Sequence, residues 1–108
     1  MDGAPAKSRL RVVVFGGSAG SIEAFGTVLS ALPAQPGFAV LVISHLDATQ
    51  QTRLDEVLQA NTGIVVERLS KLHKIEHDRI YVLPENAGVV ALDGHFRLTA
   101  RAPGLHHP

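Results

Sequence analysis

The most specific chemistry in the sequence is carried by Gly16-Gly17-Ser18-Ala19-Gly20, which reads as G-x-S-x-G. That pattern makes a sharp turn that thrusts a serine hydroxyl out between small neighbours, so that a substrate carbonyl can approach it. Backbone N–H groups at Ala19 and at the start of a following helix are unpaired and lie at its positive end, where they suit a developing oxyanion. In this reading Ser18 is the nucleophile, and Gly17, Ala19 and Gly20 form the turn and its oxyanion side. The plain structural alternative is a tight turn in which Ser18 or Ser21 caps the helix. Two other glycine-loop chemistries fail on residue type. A P-loop ends in Lys-Ser or Lys-Thr, yet no lysine occurs between Lys7 and Lys71. A dinucleotide fingerprint needs G-x-G-x-x-G, which no frame of the stretch supplies.

A nucleophilic serine needs a base, and the candidate is His45 in Ile43-Ser44-His45-Leu46-Asp47. The elements that must position the pair are readable. Residues 10–15, Leu-Arg-Val-Val-Val-Phe, form a nearly continuous apolar run ended by Gly16-Gly17, as in a strand buried on both faces of a parallel sheet. Ile22, Phe25, Val28, Leu29 and Leu32 then recur at helical spacing, with Glu23 near the positive end and Pro33 as the stop. Pro36-Gly37 turns the chain into a second apolar strand over 38–43. Strand, helix and strand make a right-handed crossover with parallel strands. Ser18 and His45 then emerge at one carboxyl edge, where a hydrogen bond of about 2.6–3.2 Å could join them.

The remaining chain reads as a helix over about 50–60 with Thr49 as N-cap, a strand over 64–67, a polar stretch over 70–78 and a strand over 80–83. Residues 89–98 form a hairpin, because Asp93-Gly94 suits the positive φ values of a type I′ turn. The fold class is therefore α/β: three-layer, with a mostly parallel Rossmann-like sheet and a C-terminal β-hairpin, preceded by a disordered leader over 1–9.

Composition narrows the classes. With 108 residues, the chain is one small domain. Ten Lys+Arg balance ten Asp+Glu, so no electrostatic footprint for nucleic acid or an anionic membrane exists. The absence of cysteine excludes disulfides, a thiolate nucleophile and cysteine-ligated metal sites. No apolar run approaches the roughly 18–20 residues of a spanning helix. His73 and His77 have the i, i+4 spacing of a helical metal pair, but no Glu lies beside His73 as in a zincin and the segment 71–78 reads as charged surface. No metal is expected. Asp55 and Glu56 belong on the solvated side of their helix, and Tyr81 and Phe96 in the sheet.

Ordinary α/β-hydrolases place their serine after several strands, whereas here 17 residues precede it. A closer resemblance is carried by Gly16-Gly17-Ser18-Ala19-Gly20-Ser21-Ile22-Glu23-Ala24, His45-Leu46-Asp47, Tyr81-Val82-Leu83-Pro84 and Gly104-Leu105-His106-His107-Pro108. Over residues 10–108 the sequence resembles the catalytic domain of the chemotaxis protein-glutamate methylesterases, the CheB family, most closely the type fused to a methyltransferase. The resemblance implies a cytoplasmic ester hydrolase, without cofactor, in which Ser18 attacks glutamyl methyl esters on the cytoplasmic helices of a chemoreceptor and His45 is the base. It implies a methyltransferase or receiver domain as partner in the full-length protein, no nucleic acid and no membrane insertion. It also implies that 10–108 is the N-terminal portion of the domain, with the aspartate that orients the histidine beyond Pro108. Asp47 does not match that position. Without the orienting group the chain alone is expected to turn over roughly 10⁴-fold more slowly. Two alternatives stand beside this reading: a noncatalytic fragment of the same domain, and an anion-binding module using the turn at 16–21.

Overall fold

Ala39, Val40, Leu41 and Val42 are all buried, the most exposed of them at 4%. A strand with every side chain covered must have layers on both faces, and in the computed structural model, which describes residues 10–17, 22–44, 48–85 and 87–100, it has them. The strands are β1 (Val12–Gly17), β2 (Ala39–Ser44), β3 (Val65–Arg68), β4 (Leu72–Lys74), β5 (Arg79–Val82), β6 (Ala87–Leu92) and β7 (His95–Ala100), with helices α1 (Ile22–Ser30) and α2 (Ala48–Asn61). Strands β1, β2, β5 and β3, in that order, form a parallel sheet, and β4, β7 and β6 form an antiparallel one. The fold is mixed α/β, as expected. The leader assigned to 1–9 lies outside the described residues.

Alternation along the central strands sorts the core into two halves. Val40, Val42, Ile80 and Val82 point to one face, where Phe25 and Leu29 of α1 and Leu54 and Leu58 of α2 cover them. Ala39, Leu41 and Tyr81 point to the other, against Ile75, Leu83 and Phe96. The chain moves in one direction from β1 to β2 to β3, so crossovers of one hand put both helices on the same side. The third layer is the small sheet. Its hairpin turns at Asp93 and Gly94 with φ of 53° and 75°, the left-handed pair a type I′ turn requires.

Three expectations about the elements need correction. Strand β1 is not buried on both faces: Val13 and Val14 are 38% and 56% exposed. The strand stands at the edge of the sheet with β2 as its only described neighbour, so it lacks the cover that β2 enjoys. Thr49 lies inside α2 rather than capping it. Buried Gln51 continues the inward stripe of Leu54 and Leu58 by one turn. The polar stretch over 70–78 contains β4 and the buried Ile75. His73 and His77 share no helix; His73 lies in β4, and His77 Nε2 accepts the Arg11 amide at 3.1 Å.

Gly26 sets the spacing of the two helices. A Cβ there would lie 3.1 Å from Val57 Cγ1 and 3.3 Å from Asn61 Nδ2, closer than packed side chains normally sit. Gly26→Leu is therefore expected to destabilise the protein by about 1–3 kcal/mol through overpacking. The measurement is a urea unfolding curve whose midpoint falls while its slope stays constant.

Candidate active site

The four parallel strands end together, and their carboxyl edge is where an open α/β sheet presents its chemistry. Gly17, the last residue of β1, is the register partner of Ser44, the last residue of β2. Neighbouring strands lie about 4.8 Å apart, so the chain leaves the sheet toward Ser18 and toward His45 from adjacent points. Ser18, Ala19, Gly20 and His45 themselves lie outside the described residues, as do Ser21, Leu46 and Asp47. Gly17 is half-buried and Ser44 is buried. Among the described residues, a Cβ added at Gly16 would meet the Ile43 carbonyl oxygen at 3.8 Å, an ordinary packing distance.

Helix α1 begins at Ile22, so its unpaired N–H groups and positive end come next in the chain after residues 16–21. Glu23 in its first turn would oppose an anion there, but its carboxylate is paired with Arg53 of α2. Both side chains are exposed, and the pair's worth lies in local charge balance more than in stability.

Sequence reasoning missed a second polar group of residues, on the face of the sheet where Glu67 of β3 and Tyr81 of β5 are register partners. Glu67 near the end of β3 accepts from His73 Nε2 at 2.9 Å through one oxygen and from Arg79 Nη1 at 3.0 Å through the other. Arg79 also reaches Glu76 at 3.5 Å. The cavity these residues line with Lys74 and Tyr81 holds about 180 Å³. Burial alternates along β4, with Leu72 and Lys74 facing outward and His73 and Ile75 inward, but the residue types do not follow it, so no sequence signal marked the group. Asp55, expected in solvent, is half-buried and pairs with Arg68 of β3; Glu56 is exposed.

Residues 13–107 match the CheB methylesterase family. The chain is 33% identical over 107 residues to protein-glutamate methylesterase/protein-glutamine glutaminase 2 of Cupriavidus metallidurans, covering 96% of this chain and 29% of that protein. It is 35% identical over 103 residues to malpibaldin synthetase of Mortierella alpina, covering 94% of this chain but 2% of the synthetase. It thus spans a minor part of either relative. In fold it resembles the CheB methylesterase catalytic domain of Thermotoga maritima, with a TM-score of 0.75, 17% identity, and 91% of this chain aligned to 53% of that one.

Tyr81 links the parallel sheet to the small sheet. Its hydroxyl accepts the Glu76 amide at 2.9 Å and donates to the Lys74 carbonyl at 3.2 Å. Burial holds its pKa above the ordinary 10.0, because the phenolate would lose hydration. As pH rises through 10.0 the unfolded chain releases this proton before the folded chain does, so stability present below that value is lost above it. Tyr81→Phe is expected to cost about 1–2 kcal/mol at neutral pH by leaving a backbone donor unpaired. Urea midpoints measured between neutral pH and 11 should also decline less steeply in the variant.

Proposed function

The chain belongs to the CheB methylesterase family, and from that premise we propose that it is the nucleophile-bearing part of a protein-glutamate methylesterase, with Ser18 as nucleophile and His45 as general base. The observation that carries this reading is the pairing of Gly17 with Ser44 on adjacent parallel strands. It brings the two chain segments that hold a serine elbow and a histidine out of the sheet side by side. Residues 22–44 then supply the helix whose positive end follows the turn.

In the proposed reaction Ser18 Oγ attacks the side-chain carbonyl carbon of a methylated glutamate as its proton passes to His45. Amide groups of the turn, with Gly17, Ala19 and Gly20 keeping it narrow, bind the oxyanion. The carbon–methoxy bond breaks, His45 returns the proton to the leaving oxygen, and methanol departs. Water, deprotonated by His45, then attacks the acyl-serine and frees the glutamate carboxylate and Ser18. The glutaminase activity in the name of the Cupriavidus relative is the same sequence with ammonia in place of methanol. The substrate in this proposal is a glutamyl methyl ester on the cytoplasmic helices of a chemoreceptor, and a methyltransferase or receiver domain is the covalent partner. In this proposal the carboxylate that orients His45 is one that residues 10–108 do not supply.

A fluorophosphonate probe reads the nucleophile without requiring turnover. Labelling is expected on the peptide containing Ser18, to vanish from that peptide in Ser18→Ala, and to slow by roughly 10²–10⁴-fold in His45→Gln, the usual range for a lost general base. Labelling at Ser18 that is indifferent to His45→Gln, or a folded chain that shows none, would remove the catalytic reading and leave a binding fragment. Methanol release from a methylated receptor fragment, lost in Ser18→Ala, is the corresponding turnover measurement.

A further inference from the structure

A serine–histidine contact lies beyond the end of β3, across the parallel sheet from β1, and none of its residues takes part in the chemistry above. Ser70 is exposed and follows β3 by two residues. Strands β1 and β3 are the outer strands of a four-stranded sheet, so their ends are roughly 14 Å apart, three strand spacings. Ser70 Oγ lies 3.2 Å from His73 Nδ1, and the Ser70 backbone N–H donates to the same nitrogen at 3.4 Å. An amide N–H can only donate, so Nδ1 must carry the lone pair and Nε2 the ring proton. Nε2 donates to Glu67 Oε1 at 2.9 Å, and Arg79 holds the other carboxylate oxygen at 3.0 Å. The ring is further fixed by Tyr81, edge-on with centroids 5.4 Å apart. Hydroxyl, imidazole lone pair, imidazole N–H and carboxylate therefore stand in the order that activates a serine, with the two ring nitrogens exchanged relative to the usual arrangement.

We propose that Ser70 is a second activated hydroxyl, independent of Ser18, that accepts an acyl group from a small, unhindered aryl ester. Ser70 Oγ bonds to the ester carbonyl carbon while its proton moves to His73 Nδ1. The carbon–aryloxy bond then breaks, the aryl oxide leaves with the electron pair, and the proton passes from His73 to solvent. The products are acyl-Ser70, aryl oxide and one proton. Exposure of Ser70 lets the donor reach it without a pocket, which restricts the substrate to small esters. Glu67 acts through the histidine, as a positioning residue that holds its tautomer and supports the imidazolium.

The test uses the full chain carrying Ser18→Ala, p-nitrophenyl acetate as donor, and peptide mass mapping of the acetyl group. Ser30 is the internal reference, an exposed serine whose hydroxyl donates to the Thr27 carbonyl at 2.7 Å rather than to a base. Acetylation at Ser70 is expected to exceed that at Ser30 by roughly 10²-fold, the lower range of general-base catalysis. His73→Gln should abolish the excess and Glu67→Gln should reduce it. Circular dichroism establishes that each variant is folded. Ser70→Ala, at an exposed position, provides the control if His73→Gln loses its fold: the acetyl group should then disappear from that peptide alone. Equal acetylation of Ser70 and Ser30, or an excess at Ser70 that persists in folded His73→Gln or Glu67→Gln, would overturn the proposal and leave the reading of Ser18 untouched.

Discussion

Two-sided burial of β2 is the constraint on which the rest depends. Ala39 and Leu41 face one half of the core and Val40 and Val42 the other, so a slip of one residue would exchange the two sets and fit neither. With its register held from both sides, β2 passes it to its neighbours: Val12 through Gly17 align with Ala39 through Ser44, and the Leu83 amide donates to the Val42 carbonyl at 3.0 Å. The alignment of Gly17 with Ser44 at the ends of β1 and β2 is a consequence of packing several residues away from either.

The second half of the core depends on aromatic contacts. Tyr81 meets Phe96 edge-on with centroids 5.5 Å apart and His73 in the same manner. One tyrosine of the parallel sheet thereby touches two strands of the antiparallel one, and its hydroxyl ties down the backbone between β4 and β5. Such offset edge contacts add about 0.5–1.5 kcal/mol to the burial of the rings. Asp78 fastens the far end: at φ 66° its carboxylate accepts the Gly37 amide at 2.8 Å.

How much of this was legible depends on whether the signal was local. Residues 38–43 read as a strand because apolar, largely β-branched and aliphatic side chains run without a break, one residue out of step with the observed 39–44, and Asp93-Gly94 read as a turn because its φ values are a property of those two residues. Helix α1 was legible from Ile22, Phe25 and Leu29, all buried as their spacing implies, although Val28 of the same pattern is 48% exposed. Strand β4 was not, since three residues with leucine outward and histidine inward invert the polarity that a pattern reading uses. Edge position is likewise invisible locally: β1 and β2 have similar composition, and only the sheet order distinguishes them. Around the candidate site, the common edge of β1 and β2 was legible as topology, while Ser18 and His45 lie outside the described residues. The Glu67–His73–Arg79 group was not legible, because its members meet only when β3, β4 and β5 are assembled.

The sheet order also sets a schedule for synthesis. Strand β3 pairs only with β5, and β4 only with β7, among the described strands. Each is therefore complete on the ribosome before the strand it needs has been made. The unit from β1 to β2 can close on local contacts, whereas the sequence from β3 onward must wait with unpaired backbone until β5 slots between β2 and β3 and the hairpin arrives behind it. The amino-terminal βαβ unit is thus the natural template, and the nascent chain is most exposed to misassociation during the interval in which residues 65–78 have emerged and residues 79–100 have not.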